Sequence, residues 1–335
     1  MARLGAMKVL ITGGAGYIGS TVATACLEAG MQVVILDDLS TGLRAFGEDR
    51  NLYEGDIADP AVLERLLADH PDIDAVVHCA ARIVVPESVA DPLGYYEANV
   101  GKTIILLQRL RDAGIPRIVF SSSAAVYAGE SGAGVDENSA LAPSSPYATT
   151  KAMVEQILKD AANAGDFRAI ALRYFNPIGA DPEMRTGLQN PTPSHALGKI
   201  MQARASGEPF PLTGTDWPTR DGSGLRDYIH VWDLALAHVA AVQKFDEVAT
   251  EADRYQVINL GAGDGVTVRE LVAAFERVTG EPLPVVETAR RPGDQAGAFA
   301  IVDRAGEMLQ WHAERSVDDG VRDALVWAQK LPSLR

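Results

Sequence analysis

Cysteine is nearly absent, with only Cys26 and Cys79 among 335 residues. Two thiols set so far apart make neither a disulfide framework nor a Cys-x-x-Cys motif, so both are expected to be reduced and buried. The six histidines form no cluster with ligand spacing, and no metal is expected. Basic residues are outnumbered, 30 against 45 acidic ones, for a formal net charge of −15. A surface that tracks nucleic-acid phosphates needs concentrated Lys and Arg, so no nucleic acid is expected as a partner. No apolar run approaches the roughly 20 residues of a membrane-spanning helix, and the start has none of the regions of a signal peptide. A cytoplasmic protein with no membrane partner is the expectation. The same acidity means that a phosphorylated ligand must be held by local donors against the overall field, which directs attention to arginines in a pocket.

What is present is an ordinary globular composition, 47% hydrophobic and 22% charged, long enough for one large core or two modest ones. Met1 to Ala6 precede a second methionine, Met7, and read as an extension outside the fold. From Met7 onward, short β-rich runs alternate with helical stretches, the pattern of a parallel sheet wound on both faces. Strands are expected at Lys8–Thr12, Gln32–Leu36, Asn51–Glu54, Ala75–His78, Arg117–Ser121 and Arg168–Arg173. Helices are expected at Tyr17–Ala29, Pro60–Ala68, Tyr95–Ala113 and Pro146–Ala164. After about Phe175 the chain turns Pro- and Gly-rich, as in Asn190-Pro-Thr-Pro, and the alternation stops. The fold class expected is therefore α/β, a Rossmann-like doubly wound sheet over residues 7–175 with a smaller α+β substrate lobe over 176–335. The lobe is discontinuous, since the buried-strand run at Arg254–Leu260 returns the chain to the sheet near 228–263.

Gly13-Gly14-Ala15-Gly16-Tyr17-Ile18-Gly19 lies between the first strand and the first helix. Glycines at 13, 16 and 19 permit a tight turn, close approach of backbone to a pyrophosphate, and close packing of helix on sheet. The helix start offers free N–H groups to phosphate. Asp37 follows the second strand, where a carboxylate accepts from a ribose diol and repels a 2′-phosphate, favouring NAD over NADP. Asp56-Ile57 reads equally as an adenine contact or as an Asx turn capping the Pro60 helix.

Tyr147 and Lys151 stand one helical turn apart, on one face. A phenol of pKa near 10 needs roughly 4 kcal/mol of differential stabilisation to become a base near neutrality. A nearby ammonium and a bound nicotinium would supply it. Ser123 lies just past a strand, on the carboxyl edge where open α/β sheets bind ligands.

In combination, the glycine turn, Ser123 and the Tyr147-x-x-x-Lys151 pair resemble the extended short-chain dehydrogenase/reductase family. Within it, Arg173–Gly179, Pro218–Gly222, Arg226–Val231, Asn259–Gly263 and Arg290–Asp294 are similar to segments of the nucleotide-sugar 4-epimerases. Dehydratases of the family carry an acidic pair where Ser122-Ser123-Ala124 stands here, which argues against that chemistry. The resemblance implies an isomerase that inverts C4 of a UDP-hexose, UDP-galactose to UDP-glucose, through a transient 4-keto sugar. Ser123, Tyr147 and Lys151 would be catalytic. NAD would be held by Gly13, Gly16, Tyr17, Ile18, Gly19, Asp37, Asp38, Asp56, Ile57, Cys79, Ala80, Ala81, Asn99, Ser121, Tyr147, Lys151 and Tyr174. The UDP-sugar would meet Ser123, Asn176, Arg226, Arg291, Asp294 and Ala298, with the arginine forks on the diphosphate. Each arginine taken singly reads equally as a surface ion pair. A homodimer through the helices at 95–113 and 146–164 is the family's usual assembly.

Three departures from the family pattern bear on function. Ile83 stands where many epimerases place a lysine facing the cofactor phosphates, with Arg82 beside it. Ser194–Leu197 replaces a substrate-contacting Asn-Leu-Ile-Pro segment and carries no assignment. Gly297-Ala298 stands where some epimerases have a bulky tyrosine, leaving room for N-acetylated UDP-hexosamines. Two other readings stay open at this point: an epimerase or decarboxylase of another nucleotide sugar such as a UDP-uronate, and a non-catalytic nucleotide-binding regulator.

Overall fold

Successive residues of the first strand face opposite apolar layers: in β1, Lys8–Thr12, Val9 and Ile11 belong to one core and Leu10 to the other. The same split divides Val33 and Ile35 from Val34 and Leu36 in β2, Gln32–Asp37. A strand that is apolar on both sides is one covered by helices on both faces. The computed structural model describes residues 6–128, 132–190, 193, 195–290 and 295–334. Its central sheet is completed by β3 (Leu52–Glu54), β4 (Ala75–His78), β5 (Arg117–Ser121), β6 (Arg168–Tyr174) and β7 (Tyr255–Leu260). All seven strands run parallel in the order β7-β6-β5-β4-β1-β2-β3. The chain winds outward from β1 to β3 and then crosses back to β4. The switch point therefore opens a crevice above the carboxyl ends of β1 and β4.

One face is covered by α1 (Tyr17–Glu28) and, from far down the chain, α5 (Val231–Gln243). The other carries α2 (Pro60–Asp69), α3 (Lys102–Asp112) and α4 (Pro146–Asn163) through Leu63, Leu66, Leu106, Leu110, Val154 and Leu158. A third core, with Ile200, Leu212, Leu271 and Phe275, joins the helices Ala196–Ser206 and Val268–Thr279 to short strands. Among these, Asn176–Ile178 pairs in parallel with Tyr228–His230, and Phe210–Thr213 with Val285–Thr288.

The expected strands and the return at 254–260 are present, with small differences of local cause. The third strand begins at Leu52 because Asn51 is left-handed (φ 50°), its side-chain amide donating to Val33 O at 3.0 Å. The helix expected over 95–113 is broken into Pro92–Tyr96, a π-turn at Glu97–Gly101, and α3. The extra residue of the π-turn turns Asn99 inward, where its amide holds both backbone groups of Arg82 at 2.8 and 2.9 Å. Among the described residues no helix is long and apolar enough to cross a membrane.

Candidate active site

The β1–α1 turn is pressed against the end of β4. Gly13 has φ +70°, and a Cβ there would lie 2.7 Å from Ala80 N, while one at Gly19 would overlap the Gly13 carbonyl oxygen. Gly16 caps α1 without a side chain, and the first turn holds no acidic residue, so its N–H groups remain available to an anion. Asp37 is buried at the end of β2 and accepts from Ala15 N and Leu39 N, each at 2.9 Å. Burial raises its pKa, and the two backbone bonds offset part of the rise. Asp38 is exposed and accepts from Ser40 N. The Tyr17 hydroxyl donates to Gly179 O at 2.7 Å and ties α1 to the second half of the chain. Asp56 does make an Asx turn, accepting from Ala58 N at 2.8 Å, but the cap of α2 is Asp59. Its second oxygen pairs with Lys102, and Ile57 is buried in the core beneath.

Ser145 caps α4 and Pro146 opens it, which sets Tyr147 and Lys151 on its sheet-facing side. Both are buried, at 8% and 3% exposure. Ser123 lies close enough to Tyr147 for its hydroxyl to favour the phenolate, and it holds the turn after β5 by accepting from Ala125 N at 3.2 Å. Lys151 donates to Ser121 O at 2.8 Å, and its ammonium lies 4.9 Å from the Phe120 ring centre and 6.0 Å from that of Tyr147. Burial lowers the Lys151 pKa to about 8. Burial also raises that of Tyr147, more than the nearby Ser123 hydroxyl lowers it. Without further positive charge, then, the phenol stays protonated at neutral pH.

Behind these groups runs a directional chain. His238 on α5 bonds Leu234 O through Nδ1 at 2.8 Å, so Nδ1 is the donor and Nε2 accepts from Ser121 Oγ at 3.0 Å. Cys79 Sγ lies 3.1 Å from the same hydroxyl, and the Tyr174 ring packs 6.1 Å from that of His238. Burial pushes the Cys79 thiol up to about 11 and His238 down to about 4, so both are neutral. Ser121, Cys79 and Tyr174 thus lie together with the Ser123, Tyr147 and Lys151 group at one sheet edge. Ala80 and Ala81 are half-buried beside the glycine turn. Arg82 does not stand free beside Ile83: it pairs with Asp91 at 2.8 Å and stacks 4.4 Å over Tyr95, while Ile83 is 61% exposed.

Under the edge lies a polar network that the expected site residues do not include. Glu155, one turn past Lys151, binds Arg173 through two prongs and accepts from Ser122. Arg173 also donates to Tyr127, whose hydroxyl donates to Asn259 at 2.6 Å. Only the one-turn spacing from Lys151 to Glu155 is a visible signal.

On the far side, Arg226 donates to Leu225 O at 2.6 Å and to Ala296 O at 3.3 Å. Gly297 has φ +110°, and any Cβ there would overlap Leu225 O and the Arg226 guanidinium. Asn176 pairs with Tyr228 across the short parallel ribbon. Ala298 is half-buried against Val126, Tyr127 and Phe175. Arg291 and Asp294 lie outside the described residues, as does Ser194. Among the described residues no group of His, Cys, Asp and Glu could hold a metal ion.

The family model described as "NAD dependent epimerase/dehydratase family" matches residues 9–261. A UDP-glucose 4-epimerase from Azospirillum brasilense is 44% identical over 327 residues, 97% of this chain and 92% of the relative. The crystal structure of a UDP-glucose-4-epimerase from Stenotrophomonas maltophila, with bound NAD and formylated UDP-arabinopyranose, superposes with a TM-score of 0.91 at 39% identity, covering 98% of this chain and 100% of that one. A UDP-Glc/GlcNAc 4-epimerase from Campylobacter jejuni superposes with a TM-score of 0.82 at 33% identity, covering 97% and 99%. With the parallel sheet, the glycine turn and the buried Tyr147 and Lys151 in place, the chain belongs to the NAD dependent epimerase/dehydratase family.

Proposed function

We propose that this chain is an isomerase that inverts C4 of a UDP-hexose, interconverting UDP-galactose and UDP-glucose, with NAD as its bound cofactor. The observation that carries the reading is the buried Tyr147, beside Ser123 and one turn from Lys151, at the carboxyl edge next to the glycine turn. The turn fits a dinucleotide, because Gly13 and Gly19 leave no room for side chains and α1 begins with uncapped N–H groups. Asp37 at the end of β2 favours a free ribose diol over a 2′-phosphate. In this reading Gly13, Gly16, Tyr17, Ile18 and Gly19 hold the pyrophosphate side, and Asp37, Asp38, Asp56 and Ile57 the adenosine side. Cys79 to Ala81, Ser121, Lys151 and Tyr174 line the nicotinamide side, with Asn99 acting through the Arg82 backbone that it holds.

NAD held there would supply a reversible hydride acceptor for the C4 hydrogen, with no net redox change. Tyr147 removes the proton of the sugar 4-hydroxyl, with Ser123 as the relay, and gives it back to the 4-keto sugar. Burial keeps the Tyr147 phenol protonated in the protein alone, so its ionisation would draw on the positive charge of a bound nicotinium. Inversion requires the keto sugar to turn over while its nucleotide stays anchored. Arg226, held by the Leu225 and Ala296 carbonyls, is assigned to the diphosphate together with Asn176, Arg291 and Asp294.

The small side chain at Ala298 favours a second substrate class, the N-acetylated UDP-hexosamines, as in the Campylobacter jejuni relative. Residues 7–175 plus the return near 228–263 serve as the cofactor half and the remainder as the substrate half. A homodimer in the cytoplasm is proposed with it. Ile104, Ile105 and Met153 are exposed apolar side chains on α3 and α4, within the two helical stretches the resemblance assigns to that contact, and Val89 and Leu93 are exposed on the short helices Val85–Ala90 and Pro92–Tyr96 that precede them. The test is proton NMR of the purified protein with UDP-galactose. Appearance of UDP-glucose is the expected result, and no conversion with or without added NAD would overturn the reading.

A further inference from the structure

Two buried polar side chains carry no assignment in the site above, and they lie 2.9 Å apart. His78 ends β4 at 3% exposure, and Thr103 sits in the first turn of α3 at 1%. Thr12, the residue before the glycine turn, pairs with His78 across the parallel register of β1 and β4. On the other side Asn99, in the π-turn, lies one helical step before Thr103. Together these residues span the distance from the cofactor turn to the π-turn.

The direction of each bond is fixed by the groups at its ends. A carbonyl only accepts, so Thr103 Oγ1 donates to Asn99 O at 2.7 Å, and its oxygen must accept from His78 Nε2. Nε2 is then the protonated nitrogen of a neutral ring, and Nδ1 accepts from Thr12 Oγ1 at 2.7 Å. Burial pushes the His78 pKa down to about 3, which keeps this tautomer uncharged near neutral pH. Beyond Asn99 the chain continues. Its Nδ2 donates to Arg82 O and to Thr150 Oγ1 at 2.9 and 3.0 Å, and Thr150 Oγ1 donates to Tyr147 O at 2.7 Å. A threonine hydroxyl bonded to the carbonyl one turn back bends a helix, and here it acts at the π-turn. The imidazole leaves that hydroxyl no other direction in which to donate.

We propose that His78 and Thr103 are positioning residues for Tyr147. They hold the carbonyl side of the π-turn, and the turn in that form keeps the Asn99 amide on the Arg82 backbone and on Thr150, which braces the first turn of α4 at Tyr147. This rests on the reading of Tyr147 as the group that moves the 4-hydroxyl proton. Buried as they are, neither residue meets the substrate. Loosening the chain therefore slows proton transfer and leaves substrate binding in place, whereas a merely structural pair would change stability alone.

The test is steady-state turnover of UDP-galactose by proton NMR, with thermal unfolding alongside, for wild type, Thr103→Val, Thr103→Ser, His78→Leu and the Thr103→Val, His78→Leu double variant. Thr103→Val keeps the shape and removes the hydroxyl, and is expected to lower kcat roughly tenfold, the scale of one buried hydrogen bond, with KM unchanged. Thr103→Ser restores kcat, because its hydroxyl can make the same two bonds. The double variant loses less than the product of the two single losses, since both changes cut one chain. Thr103→Ala, which adds no bulk, is read by the same criteria should the valine variant not fold. Unchanged kcat without the hydroxyl, serine without recovery, or multiplicative losses overturn the assignment. So does a lower unfolding temperature with normal turnover, which marks a packing role. Tyr147→Phe in the same assay separates the two failures. Full activity there overturns the proton-transfer reading and this assignment with it, and loss there beside an unchanged Thr103→Val overturns this assignment alone.

Discussion

Glu155 and Arg173 meet in a two-pronged ion pair, Nη2 to Oε2 at 2.6 Å and Nε to Oε1 at 2.9 Å, with both side chains 5% exposed. The pair joins α4, which carries Tyr147 and Lys151, to β6, which ends at Tyr174, and Ser122 bonds the same carboxylate. One buried contact thus fixes three of the chain segments that meet at the active site. Removing one partner leaves a charge buried without its counter-ion, which typically costs about 3–5 kcal/mol. Glu155→Leu is therefore expected to lower the free energy of unfolding by about that amount in urea titrations. Adding Arg173→Met should recover part of the loss, since two apolar groups leave no orphaned charge. A double variant no more stable than the single one would show that the pair is not the unit.

Tyr147→Phe keeps the ring in its buried slot and removes only the ionisable hydroxyl beside Ser123. Loss of a positioned acid and base is expected to reduce turnover by about 10²- to 10⁴-fold. UDP binding by titration should be unchanged. Near-normal conversion of UDP-galactose by NMR would remove the tyrosine from the proton transfer.

Lys151 sets a pH limit. Burial lowers its pKa to about 8, against an ordinary lysine value of 10.5. Above about pH 8 the folded protein loses the ammonium beside Tyr147, so turnover is expected to fall on the alkaline side with a midpoint near 8. Stability runs the other way. Between about pH 8 and the ordinary lysine value the unfolded chain binds a proton that the folded chain does not, so this residue's contribution rises with pH across that window. Lys151→Met should abolish both trends, as read from a pH–rate profile and from unfolding free energies between pH 7 and 10.

These elements were unequally legible in the sequence. The glycine turn, Asp37 and the Tyr147 and Lys151 pair are written in short stretches whose spacing matches one turn or one helical step, and they appear where the spacing put them. The partners of Glu155 are not written locally: Ser122 follows β5 and Arg173 lies on β6, and they reach it only through the crossover order of the sheet. The π-turn at Glu97–Gly101 escaped for a related reason. Its apolar periodicity continues across the break, and only the demand of the Arg82 backbone for both ends of the Asn99 amide shows why the ladder slips.

Cofactor retention is expected to be limited by Ile83. It is exposed beside the glycine turn's crevice, and Arg82 cannot stand in for a lysine there while it is engaged with Asp91 and Tyr95. An exposed cation near phosphate is worth about 1 kcal/mol, or roughly fivefold in affinity. Ile83→Lys should therefore tighten NAD by about that factor, measured by fluorescence titration of stripped protein. An unchanged Kd would place Ile83 away from the phosphates.

Ala298 decides the width of the sugar pocket in the proposed function. It is half-buried against the small apolar cluster of Val126, Tyr127, Val135, Phe175 and Ala300, whose first two members belong to the turn that follows Ser123. An N-acetyl group at C2 of the sugar adds several heavy atoms that an unsubstituted hydroxyl does not. Ala298→Tyr would exclude it by overlap while leaving the hexose its place. The expected outcome is loss of UDP-N-acetylglucosamine conversion with UDP-galactose turnover within a fewfold of wild type, compared by NMR on one preparation. Equal effects on the two sugars would mean that the wall does not read the C2 substituent, and an unaltered ratio would leave the breadth of the pocket to residues on another side of it.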